Sequence, residues 1–240
     1  MADQYARTRL LLGEDGVTKL RNAKVILFGL GGVGGYAAEA LARSGVGEMH
    51  LVDDDTVSLT NLNRQMLALH STVGKYKVDV AAERIKDIDP SIRVVTYKTF
   101  YLPETADQFD FSQFDYVLDA IDTVTGKLQL IAQAKTAGVP VISCMGTGNK
   151  LDATDFRVAD IAKTSGCALA RIMRKECAKR GIKHLKVLFS TEDPISPAPD
   201  AATNEEMPEG RRSLPGSVAF VPSVAGFIIA GEVIRDLTGL

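Results

Sequence analysis

The sequence predicts an α/β protein: a Rossmann-like, doubly wound, mostly parallel sheet with a C-terminal α+β extension. Three observations carry this. The run KVILFGLGGVGG, residues 24–35, passes from apolar strand-formers into clustered glycines and then into an alanine-rich helical pattern. Strand-length apolar runs then alternate with helix-period segments as far as Cys144, the pattern of a parallel sheet covered on both faces. Right-handed crossovers place Gly29, Asp53, Asp122 and Cys144, each at or near the end of such a run, along one edge of the sheet.

The segment before the first strand, residues 5–20, mixes Arg7 and Arg9 with Leu10, Leu11, Leu12 and Val17 and reads as a short helical arm with little core of its own. Residues 25–28 are the first strand. Gly29, Gly31 and Gly34 fit G-x-G-x-x-G, and Gly32 lies within the same turn. Missing side chains there permit a tight turn, a close backbone approach to phosphate, and packing of helix on strand. The following helix, residues 33–43, offers free N–H groups and a positive dipole end to an anion. Residues 49–53 form the second strand, and Asp53, nineteen residues after Gly34, is placed to accept from ribose hydroxyls.

A polar, turn-rich stretch, DDDTVSLTNLNRQ, delays the next helix; such connections often carry function. Helical spacing then runs over residues 73–89 (Val73, Val80, Ala81, Ile85, Ile88) up to Pro90. Residues 92–97 read as a strand, Phe109 and Phe111 as part of a linker, 116–121 as a strand, 126–137 as a helix and 139–144 as a strand. Beyond these the expectations are a basic helix at 166–180, a short strand at 187–190, a mobile loop near 191–217 holding five of the nine prolines, and an apolar closing helix at 222–237. The whole chain, 1–240, is expected to be one unit, with a nucleotide-binding core at 1–150 and a substrate-binding and dimerisation extension at 151–240.

Composition sets limits. With 240 residues and 45% hydrophobic content the chain can bury one large core, or one and a small appendage. A net charge of -2 argues against indiscriminate nucleic-acid binding. The start, MADQYARTRL, lacks a signal-peptide core, and the apolar run 218–230 is short and broken by Pro222, so no membrane insertion and a cytoplasmic setting are expected. Cys144, Cys167 and Cys177 form no C-x-x-C pair and suggest neither a zinc site nor a disulfide framework. Cys144 ends the last parallel strand, where burial and a thiol role compete, and cations near Cys167 and Cys177 would lower a thiol pKa.

The glycine turn alone fits a dinucleotide dehydrogenase. Asn61, Arg64 and Lys77, following Asp53 closely, instead suit a triphosphate, because cations offset charge that builds on a leaving pyrophosphate. Asp122 would hold Mg²⁺, a hard ion that prefers carboxylate oxygen. Solvated cations and a helix-capping acid are the competing reading of the same residues.

In order along the chain, Arg9, GLGGVGG, VDDDTVSLTNLNRQ, VGKYK and DAIDT resemble the ubiquitin-activating-type adenylating enzymes, with N-x-x-R followed by lysine the specific element. The resemblance implies ATP as co-substrate, Asp53 on the ribose, and Arg9, Asn61, Arg64 and Lys77 on the phosphates. Asp55 and Gln65 belong to the same nucleotide-binding set, and Asp122 matches the metal-associated acid. It also implies a homodimer in which Arg9 completes the neighbour's site. GTGNKLDATDFRVADIAKT, the basic helix, VLFSTEDP and GSVAFVPSVAGFIIAGEVI are similar to one branch, the tRNA threonylcarbamoyladenosine dehydratases. That implies ATP-dependent cyclisation of N6-threonylcarbamoyladenosine in tRNA through a carboxyl-adenylate, with no catalytic cysteine.

Two departures stand out: Cys167 replaces an acid usual before the helix, and the zinc cysteines of sulfur-carrier activators are absent. Adenylation of a ubiquitin-like sulfur carrier's C-terminal glycine, with a sulfur-transfer partner protein, is the alternative, and a non-catalytic nucleotide sensor a third. Arg171, Arg174, Lys175, Lys179, Arg180, Lys183 and Lys186, with Arg211 and Arg212, either track a tRNA backbone or form a solvated face.

Overall fold

In the computed structural model, residues 3–196, 198 and 215–240 are described. The chain runs α1 (Ala6–Asn22), β1 (Lys24–Phe28), α2 (Gly34–Ser44), β2 (Glu48–Val52), α3 (Lys77–Ile88), β3 (Arg93–Tyr97), β4 (Tyr116–Asp119), α4 (Val124–Ala137), β5 (Val141–Cys144), β6 (Phe156–Asp160), α5 (Ala168–Lys179), β7 (Lys186–Ser190) and α6 (Phe220–Thr238). The sheet order is β3-β2-β1-β4-β5-β7-β6. All neighbours are parallel except β6, which pairs antiparallel with β7 at the edge. Strand order reverses between β1 and β4, so the connections leaving their C-terminal ends diverge and open a crevice.

Alternation along β1 shows how the sequence builds two faces. Val25 and Leu27 enter a core with Ala37 and Leu41 of α2, Val78 and Ile85 of α3, and Ile229 and Val233 of α6. Ile26 and Phe28 point the other way, among Leu130 and Ile131 of α4 and Met173 and Cys177 of α5. Phe109 and Phe111, read from sequence as linker, belong to this second core: both rings pack against Phe28, at 5.4 and 5.6 Å. α1 is not a bare arm. It is kinked at Gly13 (φ 70), and its second half buries Val17 and Leu20, while Leu10 and Leu11 remain 85% and 83% exposed.

Two points differ from the sequence reading, and a third falls largely outside the described residues. The helix read from residue 73 begins at Lys77, because residues 73–76 are used in a turn at Gly74 (φ 85) and in a bridge of Tyr76 to Thr56. β6, not expected at all, joins the extension to the sheet edge; in FRVAD only Phe156 is fully buried, and the apolar pattern is too short to stand out. Most of the loop expected to be mobile near 191–217, with Arg211 and Arg212, lies outside the described residues. Among the described residues no helix is long and apolar enough to cross a membrane.

A buried charge cluster ties together the C-terminal ends of the central strands beneath the crevice. Lys127 of α4 has no solvent exposure; its Nζ donates to both Asp119 carboxylate oxygens (3.0 Å each) and to the Cys144 carbonyl (2.7 Å). Ser143 Oγ also donates to Asp119. The C-terminal ends of β4 and β5 are thereby tied to the helix between them. Removing one partner strands the other charge in the interior, whereas removing both removes the penalty. Lys127→Met is therefore expected to cost about 3–5 kcal/mol in urea denaturation, and Lys127→Met combined with Asp119→Leu to recover at least half of that loss. Equal instability of single and double variants would contradict the pairing.

Candidate nucleotide-binding active site

The crevice at the C-terminal end of the sheet is a cavity of about 990 Å³. Its floor is the glycine turn, and the glycines have different reasons to be there. Gly29 sits at φ +88, and a Cβ on it would lie 2.8 Å from the Ala120 carbonyl oxygen. A Cβ on Gly34 would lie 1.8 Å from the Gly29 carbonyl oxygen, so Gly34 brings α2 onto β1. Expected from sequence among the nucleotide-binding residues, Gly34 does not line the cavity; packing is its role. Gly31 does line it, and a Cβ there would meet only Gln65 Nε2, at 4.0 Å. The protein leaves that space open, a cradle for a group brought close to the backbone. Gly32 backs onto Pro222 at the start of α6.

Asp53 ties the end of β2 to this turn: one carboxylate oxygen accepts from Leu30 N at 2.6 Å and the other from Asp55 N at 2.9 Å. Burial raises its pKa, and the nearby Lys77 ammonium works against that rise. Carboxylate oxygens of Asp53, Asp54 and Asp55 lie within 4.8 Å of one another, a set that suits a hard divalent cation. Lys77, buried at the first turn of α3, reaches Asp55 Oδ2 at 2.6 Å. A cation there is unfavourable to the helix dipole, so the position serves something other than helix stability.

Asn61 and Arg64 lie in and just after a one-turn 3-10 helix, Leu59–Asn61. Asn61 Oδ1 accepts from Ser58 N, and Arg64 donates to the Thr60 carbonyl and Asn63 Oδ1, 2.9 Å each. Gln65 is 8% exposed, and its Oε1 has no hydrogen-bond partner among the described residues. Such an orphaned acceptor is open to a donor from a ligand or a water. Asp122 lines the cavity from the exposed connection between β4 and α4.

Arg9 is not brought to this cavity. It lies on α1, paired with Asp3 (2.9 Å) and Glu14 (2.5 Å).

Of the other half of the cavity, the sequence placed Cys144 at the sheet edge but none of the loop residues after it. Cys144, residues 146–150, Cys167, Leu169, Pro194 and Pro215 line that half. Burial pushes the Cys144 thiol up to about 12, which favours the buried reading of that residue, and burial raises the Cys177 thiol too, outweighing the lowering expected there from neighbouring cations. Lys150 also lines this half, buried to 4% exposure; a lysine in a post-strand loop was the signal available. The basic helix is less free than its composition suggests. Arg174 donates to Thr164, Lys179 and Arg180 hold Glu176 at a pKa of about 2, and Lys186 pairs with Glu232 and Asp236. Among the described residues, Arg171, Lys175 and Lys183 remain exposed without an ion pair.

The ThiF family model matches residues 5–240. A tRNA threonylcarbamoyladenosine dehydratase of Bacillus subtilis is 46% identical over 242 residues, 99% of this chain and 95% of that protein; its Escherichia coli counterpart is 33% identical over 98% and 93%. The crystal structure of the E. coli enzyme in complex with ATP superposes with a TM-score of 0.88 at 32% identity, covering 98% of this chain and 94% of that one. An Aspergillus niger adenylyltransferase and sulfurtransferase is 38% identical over only 58% of this chain and 29% of its own length. The chain belongs to the ThiF family.

The two glycines should separate fold from binding. Gly34→Ala is expected to cost at least about 3 kcal/mol by overpacking, or to prevent folding. Gly31→Ala should leave thermal stability within about 0.5 kcal/mol and weaken ATP binding about tenfold, roughly 1.4 kcal/mol. Calorimetry of unfolding and of ATP binding measures both; normal ATP affinity in Gly31→Ala would remove the cradle.

Proposed function

We propose that this ThiF-family protein is an ATP-dependent tRNA threonylcarbamoyladenosine dehydratase, working in the cytoplasm as a homodimer with Mg²⁺. The observation that supports this most is the convergence of Arg64, Lys77, Asp53 and Asp122 on one cavity over an open glycine, in a chain similar along its length to proteins so named. In this reading residues 1–150 hold the nucleotide and 151–240 the second substrate, within one unit.

A carboxylate is a poor electrophile, and the proposed chemistry overcomes that in two steps. A carboxylate oxygen of the threonylcarbamoyl group attacks the α-phosphorus of ATP, and the bond to the bridging oxygen breaks to release pyrophosphate. Lys77 and Arg64, with Arg9 of a second subunit, offset the charge that builds on that leaving group. Asp53 accepts from the ribose and Gln65 Oε1 supplies a further acceptor, while Asn61 fixes the turn that presents Arg64. A nucleophile already within the threonylcarbamoyl group then adds to the activated acyl carbon, closing a five-membered ring; AMP leaves and one proton is released. Ring closure of this kind gains an effective molarity of about 10⁵ M or more, so a cysteine thioester has nothing to add. A protonated, buried Cys144 agrees with that. Asp122 and the acids at 53–55 would hold Mg²⁺, which when bound neutralises phosphate charge.

The sulfur-carrier alternative, with its sulfur-transfer partner, has weaker support: proteins with adenylyltransferase and sulfurtransferase names match either over 58% of this chain at 38% identity or over 81% at only 28%, and this chain spans less than half of their length. A sensor would have no use for two cations at a leaving pyrophosphate.

The direct test is mass spectrometry of tRNA nucleosides after incubation with ATP. Wild-type protein should form the cyclic nucleoside, and Lys77→Ala or Asp122→Ala should lose about 10²–10³ in rate. Mixing Arg9→Ala with Asp122→Ala should restore activity to about a quarter through hybrid dimers, each with one intact shared site. Undiminished turnover in the single variants, or no recovery despite subunit exchange, would refute these roles.

The contribution of α5 is tested separately. Because Arg174, Lys179 and Arg180 are engaged within the protein, reversal of Arg171, Lys175 and Lys183 to glutamate is the informative variant. It should weaken tRNA binding and flatten its salt dependence by about one released counterion per lost contact. An unchanged slope would leave α5 a solvated face.

A further inference from the structure

Among the described residues, Lys150 is a cation with no counter-charge in a place where that is costly. Its side chain is 4% exposed and lines the large cavity. Its ammonium donates to the Glu192 carbonyl, which satisfies one of three N–H groups. The carboxylate of Glu192 itself is turned to the backbone: Oε1 accepts from Leu151 N at 2.9 Å and Oε2 from Asp152 N at 3.0 Å. Among the described residues Lys150 makes no ion pair. A buried ammonium left with one neutral acceptor is destabilising unless an anion arrives to complete it.

The backbone that carries Lys150 is held in place. Asn149 adopts a left-handed conformation (φ 58), and its backbone N–H, backbone carbonyl and side-chain oxygen bind two other segments. Its N–H donates to the Gly216 carbonyl at 2.7 Å, its Oδ1 accepts from Gly216 N at 2.6 Å, and its carbonyl accepts from Ile195 N at 2.8 Å. Lys150 therefore leaves a clamp between residues 195 and 216, not a free loop.

Its location distinguishes it from the nucleotide cations. Arg64 and Lys77 follow β2, whereas Lys150 follows β5, beyond β1 and β4 in the sheet order. Resting on the function proposed above, we infer that Lys150 binds the carboxylate of the threonylcarbamoyl group and aims it at the α-phosphorus. Lys150 is thus the residue that distinguishes a modified from an unmodified adenosine. A phosphate of the same RNA carries the same charge, and the test separates the two.

Binding is measured with an anticodon stem-loop carrying either adenosine or N6-threonylcarbamoyladenosine, in the presence of α,β-methylene ATP so that no turnover occurs. Wild-type protein should prefer the modified loop by about tenfold to a hundredfold, the range of a charge-assisted hydrogen bond. Lys150→Gln, which keeps a donor for Glu192 but no charge, should bring that ratio close to one, with ATP affinity within about twofold, and Lys150→Arg should keep most of it. A Lys150→Gln ratio equal to wild type overturns the proposal. So does equal weakening of both loops, which would mark a phosphate contact, or a matching loss of ATP affinity, which would mark the nucleotide. If Lys150→Gln does not fold, the methyl ester of the modified loop decides in wild-type protein: the ester should bind like the unmodified loop, and binding equal to the acid overturns the assignment. No preference in wild-type protein at all would instead overturn the functional reading itself.

Discussion

The approach of α2 to β1 at the glycine turn governs the rest of this structure. With 1.8 Å between the Gly29 carbonyl oxygen and any Cβ at position 34, only a chain without that atom can seat the helix directly on the strand end. This contact sets how far the N-terminus of α2 reaches over the sheet, and so where its free N–H groups lie. The turn is then locked from two sides. Asp53 accepts from Leu30 N, binding β2 to it, and Gly226 of α6, where a Cβ would lie 2.3 Å from the Val33 carbonyl oxygen, lets the C-terminal helix close behind it. Elements from both ends of the chain therefore converge on a single backbone turn.

Charge in the cavity is arranged in opposition rather than in excess. Lys77 is held by Asp55, and Asp53 by two backbone amides, so each group sits in a fixed place before a ligand arrives. Orientation at the moment of reaction then costs little, since the dipoles and charges are already aligned. The local cost is visible: a lysine at the start of α3 opposes the helix dipole, and three adjacent aspartates repel one another. Conflicts of this kind, concentrated in one connection, mark residues whose arrangement favours a ligand over the empty fold.

The second half of the chain is not an appendage beside the nucleotide core. β7 pairs with β5 and β6 with β7, so the sheet is continuous across residue 150. The cluster of Lys127, Asp119, Ser143 and the Cys144 carbonyl fixes the β4 and β5 ends at the middle of that sheet. Both walls of the cavity are thus attached to one rigid surface, which suits a reaction that must hold two large substrates with reacting atoms in line.

The amino-acid sequence by itself determined the parallel core, the glycine turn and the short-range set Asp53, Asn61, Arg64 and Lys77, because hydrophobic period and motif spacing are properties of neighbouring residues. It also placed Asp122 and Cys144 at the right edge, since strand ends follow from the handedness of crossovers. Its motif also assigned the glycines their parts, approach to phosphate at Gly31 and helix packing at Gly34, but the sequence did not determine how close the opposing backbone stands to each one. Nor did it separate the occupied cations of α5 from the exposed ones, reveal β6 at the sheet edge, or single out Lys127 and Lys150 among 28 basic residues. Burial and the absence of a counter-charge arise only when segments distant in sequence are brought together, so those properties were decided by the tertiary structure alone.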